Sequence, residues 1–129
     1  MNTYKEERAY VERIIARYKR DLVELDYFKE YNYYPKLRLD MVRDGGDSRA
    51  DALHRNMDKV GVLTRRVAMI EGAGRVIGEE FYNIIVHDFV KRDVKWWMSE
   101  YPRSTYYRRR RLAVSAFARY AQDILEIQE

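Results

Sequence analysis

The chain has 129 residues, with 25 Lys and Arg against 21 Asp and Glu, so its formal net charge at pH 7 is +4. This length is typical of one domain, or of one small domain with a helical extension. The absence of cysteine excludes a disulfide framework, thiol catalysis and a Cys-ligated zinc site, and no apolar run reaches the roughly 18 residues that a membrane span needs.

The first predicted helix runs from about Thr3 to Tyr34, because Pro35 disfavours helix in the residue before it. Thr3 and Glu6 have the spacing of a capping box. The helix is longer than a small domain needs, so we expect part of it to pack on a second copy, with a dimer favoured. Its apolar residues recur at spacings of three and four along one face: Val11, Ile14, Tyr18, Leu22 and Leu25.

The second predicted helix follows a linker at residues 35–48, whose Asp-Gly-Gly-Asp-Ser stretch is typical of a loop. The linker separates residues 1–44 from a helical domain at 45–129. Ser48 and Asp51 have the spacing of another capping box, and Gly72-Ala73-Gly74 ends the helix. The amphipathic pattern between them consists of Leu53, Met57, Val60, Leu63, Val67 and Ile70.

The sequence after this helix predicts three further segments and no strand. A helix covers Arg75 to Val90, with Ile77, Phe81, Ile84, Ile85 and Phe89 directed inward. Asp93 caps a short helix Val94–Ser99, in which one of the two tryptophans belongs to the core. Ser104 caps a last helix that runs from Thr105 to about Leu125, with its packing face formed by Tyr106, Ala113, Phe117, Ala121 and Ile124.

A short helix, a turn and a longer helix form the outline of a helix-turn-helix, here at about residues 93–125. We therefore predict an all-α fold with a long N-terminal helix, amphipathic helices and a C-terminal helix-turn-helix. In such a motif the second helix enters the major groove of DNA by its N-terminal half.

The charge excess lies in the last third of the chain, where residues 91–129 carry 9 basic and 5 acidic side chains. Six arginines and no acid occur from Arg103 to Arg119, and four of the six are consecutive. We expect an unbalanced positive field there, because no acid in the stretch can pair with these arginines. The guanidinium fork suits phosphate and guanine, which favours nucleic-acid binding over a merely solvated helix face.

No catalytic, metal or cofactor site is predicted. His54 and His87 are far apart and are interpreted as surface residues, and Glu79-Glu80 with Asp88 as ordinary carboxylates. The glycines of residues 72–78 lack the preceding strand of a nucleotide-binding loop and are interpreted as a helix break. We therefore expect a protein that is not an enzyme.

The segment Pro102-Arg103-Ser104-Thr105-Tyr106-Tyr107-Arg108-Arg109-Arg110-Arg111-Leu112-Ala113-Val114 is similar to the recognition helix of ArpU-type phage regulators. RinA-type phage activators resemble it too, and both resemble the helix-turn-helix in the fourth region of bacterial sigma factors. The resemblance implies a transcriptional regulator of late or packaging genes. Its implied partners are double-stranded DNA and host RNA polymerase, in the cytoplasm of a bacterial host and associated with the nucleoid.

In this interpretation Ser104 caps the helix, and Arg103 and Thr105 contact phosphate. One or two base readers come from the side chains directed to the groove, and Arg110 packs its stem inward while its head reaches phosphate. The predicted DNA-binding residues are Arg103, Ser104, Thr105, Tyr107, Arg108, Arg109, Arg111 and Leu112.

Two alternatives to a transcription regulator stay open from the sequence. A small terminase subunit also joins a helix-turn-helix to helices that oligomerise, and a ring of eight or more copies would favour it. A helical interaction module that acts on a transcription complex would instead bind protein tightly and DNA only weakly.

Overall fold

A computed structural model describes residues 3–30 and 46–125, with the backbone alone for residues 46–53 and 125. These residues form helices and turns and no strand, which confirms the all-α prediction. The elements in chain order are α1 (Tyr4–Glu30), α2 (Gly46–Glu71), α3 (Gly74–Ile77), α4 (Glu79–Ile85) with a π-helical turn (Val86–Val90), a 3₁₀ turn (Trp96–Ser99), and α5 (Arg103–Tyr120) with a second π-helical turn (Ala121–Leu125).

The chain divides into two compact units, one of residues 1–19 and 69–129 and one of residues 20–68. Residues 35–45 of the predicted linker, the predicted end of the first helix and the predicted boundary at residue 44 lie outside the described residues, as do the side chains of Ser48 and Asp51. The last three residues of the predicted linker, 46–48, already belong to α2, so this helix begins before the predicted cap Ser48. We describe each unit by itself.

The first unit begins with the capping residue that the sequence predicts. The Glu6 N–H donates to Thr3 Oγ1 at 3.2 Å, and the Thr3 hydroxyl donates to the Glu6 carboxylate at the same distance. Further along, the buried side chains come from α1, α4 and α5, and they bring three amphipathic faces together around one apolar core. They include Val11, Ile14, Ile15, Ile84, Ile85, Val114 and Phe117.

The second unit pairs the C-terminal part of α1 with most of α2. Leu63 and Val67 are buried as predicted, whereas Leu22 is 37% exposed and Met57 is 48% exposed. Asp21 takes the place expected for Leu22, because Arg66 donates to both of its carboxylate oxygens at 2.9 and 2.6 Å. A bidentate pair of this kind satisfies a buried carboxylate. Asp21, and not Leu22, therefore lies on the buried face of α1.

The predicted helix from Arg75 to Val90 is interrupted in the structure. Gly78 has φ 96° and ψ 154°, a backbone conformation that is essentially confined to glycine, and it separates α3 from α4. The inward positions Ile84, Ile85 and Phe89 are buried nevertheless. The predicted inward residues nearest the break, Ile77 and Phe81, are only half-buried.

Candidate nucleic-acid interface

Helix α5 carries the arginine-rich segment, and it begins two residues earlier than predicted. Pro102 is extended (φ −62°, ψ 149°), and its carbonyl accepts the Tyr106 N–H at 2.9 Å, so the helix begins at Arg103. No side chain caps this end. The prediction that Ser104 caps the helix is therefore wrong: Pro102, with its fixed φ, occupies the capping position, and Ser104 is an exposed residue of the first turn.

The inner face of α5 is held by aromatic rings. Tyr106 is 1% exposed and stacks on Trp97 with ring centroids 4.6 Å apart and planes 5° from parallel. The Tyr106 hydroxyl donates to Asp88, which also accepts the Trp96 indole N–H at 2.9 Å. Burial and the hydrogen bond to Asp88 raise the pKa of Tyr106 above its ordinary value, so its phenol stays neutral. These contacts fix the start of α5 on the core.

The predicted short helix Val94–Ser99 is wrong in length, because only Trp96–Ser99 is helical and it forms a single 3₁₀ turn. Asp93 does not cap a helix; its carboxylate accepts the Lys95 N–H at 3.3 Å. Trp96 and Trp97 both contact Tyr106, so this turn packs on the start of α5. The helix-turn-helix outline is thus not confirmed.

Arg109 forms an ion pair with a carboxylate that is distant in sequence. Its Nη2 lies 2.5 Å from Glu80 Oε1, and its Nε donates to Glu80 Oε2 at 3.3 Å. Glu80 also accepts the Tyr101 hydroxyl at 2.8 Å. The hydrogen bonds from Arg109 and Tyr101 hold the pKa of Glu80 below its ordinary value. Arg109, which the sequence assigns to DNA, therefore joins α5 to α4 in the structure.

Arg110 is paired in the same manner, and its head does not extend outward as expected. Its Nε lies 2.7 Å from Asp88 Oδ2, without the alignment of a hydrogen bond, and the guanidinium lies over the Phe89 ring at 5.5 Å. The side chain is only 17% exposed. The expectation that no acid pairs with the arginines is therefore wrong for two of the six.

The other four arginines, Arg103, Arg108, Arg111 and Arg119, are exposed, and none forms an ion pair with a carboxylate among the described residues. At 100° per residue they fall within about 160° of the helix circumference, whereas Arg109 and Arg110 fall outside that arc. Two of the four lie over tyrosine rings, Arg103 over Tyr107 at 5.9 Å and Arg111 over Tyr4 at 5.1 Å. We call these four residues the arginine face of α5.

The remaining predicted site residues lie on or beside this face. Tyr107 and Leu112 are 43% and 47% exposed, Ser104 is exposed, and Thr105 is half-buried. The sequence did not single out Glu80 and Asp88 as partners of arginine. Glu80 and Asp88 both lie on the amphipathic segment that also supplies Ile84, Ile85 and Phe89, so the sequence places them close to the core. The sequence does not show which arginine pairs with which of the two carboxylates.

Compared with family models, curated proteins and solved structures, the chain matches none of them. The resemblance to ArpU-type regulators thus rests on residues 102–114 alone. Within residues 3–30 and 46–125, no group of three or more metal-ligating side chains is placed to hold a metal ion, and no helix there has both the length and the apolar character of a membrane span.

Proposed function

We propose that this chain binds double-stranded DNA through the arginine face of α5 and regulates transcription in the manner that the resemblance to ArpU-type phage regulators implies. One observation carries the proposal. Of six arginines on one helix, two are neutralised by Glu80 and Asp88. The four that lack a carboxylate partner among the described residues share one exposed side. Arginines that point toward the core need a carboxylate partner on any helix. What favours a phosphate-binding face is the charge that remains, four exposed arginines on one side of a helix that contains no Asp or Glu.

The N-terminal part of the face, from Arg103 to Arg111, has a length that suits a DNA groove. Arg103 and Arg111 are eight residues apart, or about 12 Å along the helix, and the major groove of B-DNA is about 12 Å wide and admits an α-helix. No Asp or Glu occurs in α5. The field over this half of the helix is therefore positive and attracts a polyanion.

Three arginines of the face and three residues on or beside it have chemical roles in this proposal. Arg103 and the half-buried Thr105 contact phosphate. Arg108 and Arg111 supply the bidentate donors that recognise guanine or grip phosphate, and the exposed Leu112 suits the thymine methyl group. Tyr107, which lies under the Arg103 guanidinium, orients it. One or two of these residues read bases and the others position the helix.

The biological setting follows from the resemblance. An ArpU-like regulator would control late or packaging genes, act at promoters beside host RNA polymerase, and bind as a dimer to two half-sites. In this setting the chain acts in the cytoplasm of a bacterial host, at its nucleoid. A helix-turn-helix shortened to a 3₁₀ turn would still present the N-terminal half of α5 to the groove, because the Trp97–Tyr106 stack fixes that half.

Selection from a random pool of duplexes tests the proposal. At about 150 mM salt, where non-specific electrostatic binding is weak, we expect enrichment of a defined motif. The selected duplex should bind at least about a thousandfold more tightly than a scrambled duplex of equal length. A pool that stays random, with equal affinity for both duplexes, would contradict a sequence-specific regulator.

A further inference from the structure

A cavity lies within the first unit, and no residue of the arginine face lines it. Glu71, one of its lining residues, is exposed to solvent. Its volume is about 290 Å³. The wall is apolar and comes from four helices, through Ile15 of α1, Ile70 of α2, Ile85 of α4 and Phe117 of α5. An engineered cavity of about 150 Å³ holds benzene. The volume here therefore accommodates one six-membered ring with a small substituent.

Three polar side chains line the same cavity. The Tyr18 hydroxyl donates to Glu71 Oε2 at 2.8 Å, and Tyr82 is the third polar residue. Burial raises the pKa values of Tyr18 and Tyr82, and the negative charge of Glu71 raises them further. Both phenols therefore stay neutral at physiological pH. No Lys, Arg or His belongs to the lining, so Glu71 supplies its single charge.

The electrostatics of this lining favour a positive ligand. Glu71 is the last residue of α2, and the carbonyl groups at a helix C-terminus add partial negative charge there. Tyrosine and phenylalanine rings present negative faces that attract cations. Among the described residues Glu71 forms no ion pair, and Tyr18 gives it one hydrogen bond. An anionic ligand would meet the carboxylate with nothing to compensate it.

We infer that this cavity binds a small organic cation, an ammonium group carried on a single aromatic or aliphatic ring. The ammonium lies at Glu71 between the rings of Tyr18 and Tyr82, and the ring lies against Ile85 and Phe117. Apolar walls with a few convergent polar groups are typical of small-molecule sites. The inference does not depend on DNA binding, because no residue of the arginine face lines the cavity.

An NMR titration of the full chain without DNA tests this site. The probes are benzyltrimethylammonium, neutral benzyl alcohol and anionic phenylacetate. We expect the cation to bind at least tenfold more tightly than the alcohol, to shift the amides of Glu71 and Tyr82, and to leave that of Arg108 unchanged; phenylacetate should not bind. Equal affinity for cation and alcohol, or absence of cation binding, would overturn the inference.

Two variants separate charge from shape. Glu71→Gln keeps an acceptor for Tyr18, and we expect it to lose at least tenfold in affinity for the cation with no change for benzyl alcohol. Glu79→Gln removes an exposed carboxylate outside the cavity and should bind the cation as the parent does. Val86→Phe places a ring in the cavity and should abolish binding of both ligands while the helical circular dichroism persists. An unchanged cation affinity in Glu71→Gln, or cation binding by the folded Val86→Phe variant, would overturn the inference.

Discussion

Asp88 is the residue on which the start of α5 depends most. It accepts hydrogen bonds from Trp96 and Tyr106 and lies against Arg110, so one carboxylate of the π-helical turn after α4 holds three side chains of the following segment. The sequence places Asp88 on a charged helix and gives no sign of these partners, which are 8, 18 and 22 positions further along the chain.

Replacement of Asp88 should be among the more destabilising polar changes in this protein. Asp88→Asn leaves the guanidinium of Arg110, 17% exposed, without its counter-charge, and removal of one partner of a buried pair costs about 3–5 kcal/mol. Because Arg110 keeps some exposure, we expect Asp88→Asn to lower the free energy of unfolding by about 3 kcal/mol, as measured by urea denaturation.

The matched control is Asp58→Asn on α2, where the side chain is exposed. This variant should stay within about 0.5 kcal/mol of the parent. A loss below about 1 kcal/mol for Asp88→Asn would show that Asp88 does not hold α5 as described.

Glu80 contributes a pH dependence with a defined sign. Its hydrogen bonds from Arg109 and Tyr101 lower its pKa in the folded protein below the ordinary value of 4.5. A depressed carboxyl pKa stabilises the fold above the unfolded pKa, and this contribution is lost as the pH falls through the folded pKa.

We therefore expect Glu80→Gln to lower Tm at neutral pH, and we expect its difference from the parent to shrink as the pH falls below the ordinary carboxyl pKa of 4.5 toward the lowered folded pKa. Glu79→Gln removes the same charge from an exposed carboxylate that forms no ion pair with a described residue, and its difference from the parent should not follow this pattern. A Tm difference for Glu80→Gln that persists unchanged at acid pH would refute the stabilisation by Arg109 and Tyr101.

At the scale of helices, the features that could be predicted are those that depend on residues close together in the sequence. The Thr3–Glu6 cap depends on neighbouring residues, and α2 ends at Glu71, directly before the glycines that predict its end. The break at Gly78 could not be predicted, since a glycine within a helix costs only about 1 kcal/mol and does not by itself reveal a positive φ. The 3₁₀ turn depends on where two tryptophans meet Tyr106, which is a tertiary contact.

Two glycine replacements should have opposite effects on stability. Gly78 has φ 96°, and a Cβ there would meet no atom within 4 Å, so the cost of Gly78→Ala is backbone strain alone, about 1–3 kcal/mol. Gly61 lies within α2, and its nearest neighbour to an added Cβ is the flexible Arg65 side chain at 3.8 Å. Gly61→Ala should therefore stabilise the protein by about 0.5–1 kcal/mol.

Chemical denaturation of both variants measures the difference. If Gly78→Ala were as stable as the parent, α3 and α4 would form one continuous helix in solution. If Gly61→Ala were destabilising, its site would be more tightly packed than described.

At the scale of the molecule, the structure changes what the net charge means. The sequence assigns six unbalanced arginines to one short segment, and the fold neutralises two of them with carboxylates 29 and 22 positions earlier. The position of the arginine-rich segment along the chain could be predicted from the sequence. So could the burial of Tyr106, Ala113 and Phe117 on the same helix. Which arginines stay available could not, because ion pairs across helices leave no periodic signal in the sequence.

The most direct test of the DNA-binding proposal compares two adjacent arginines of α5. Arg108→Gln and Arg109→Gln each remove one positive charge, so their effects on net charge are equal. The affinity of each variant for the selected duplex is measured by fluorescence anisotropy between about 50 and 200 mM salt. We predict that Arg108→Gln lowers the slope of log affinity against log salt by about 0.9, while Arg109→Gln, whose guanidinium is already paired with Glu80, leaves the slope unchanged. Equal effects from both variants, or an unchanged affinity together with an unchanged slope for Arg108→Gln, would contradict the assignment of the arginine face to DNA.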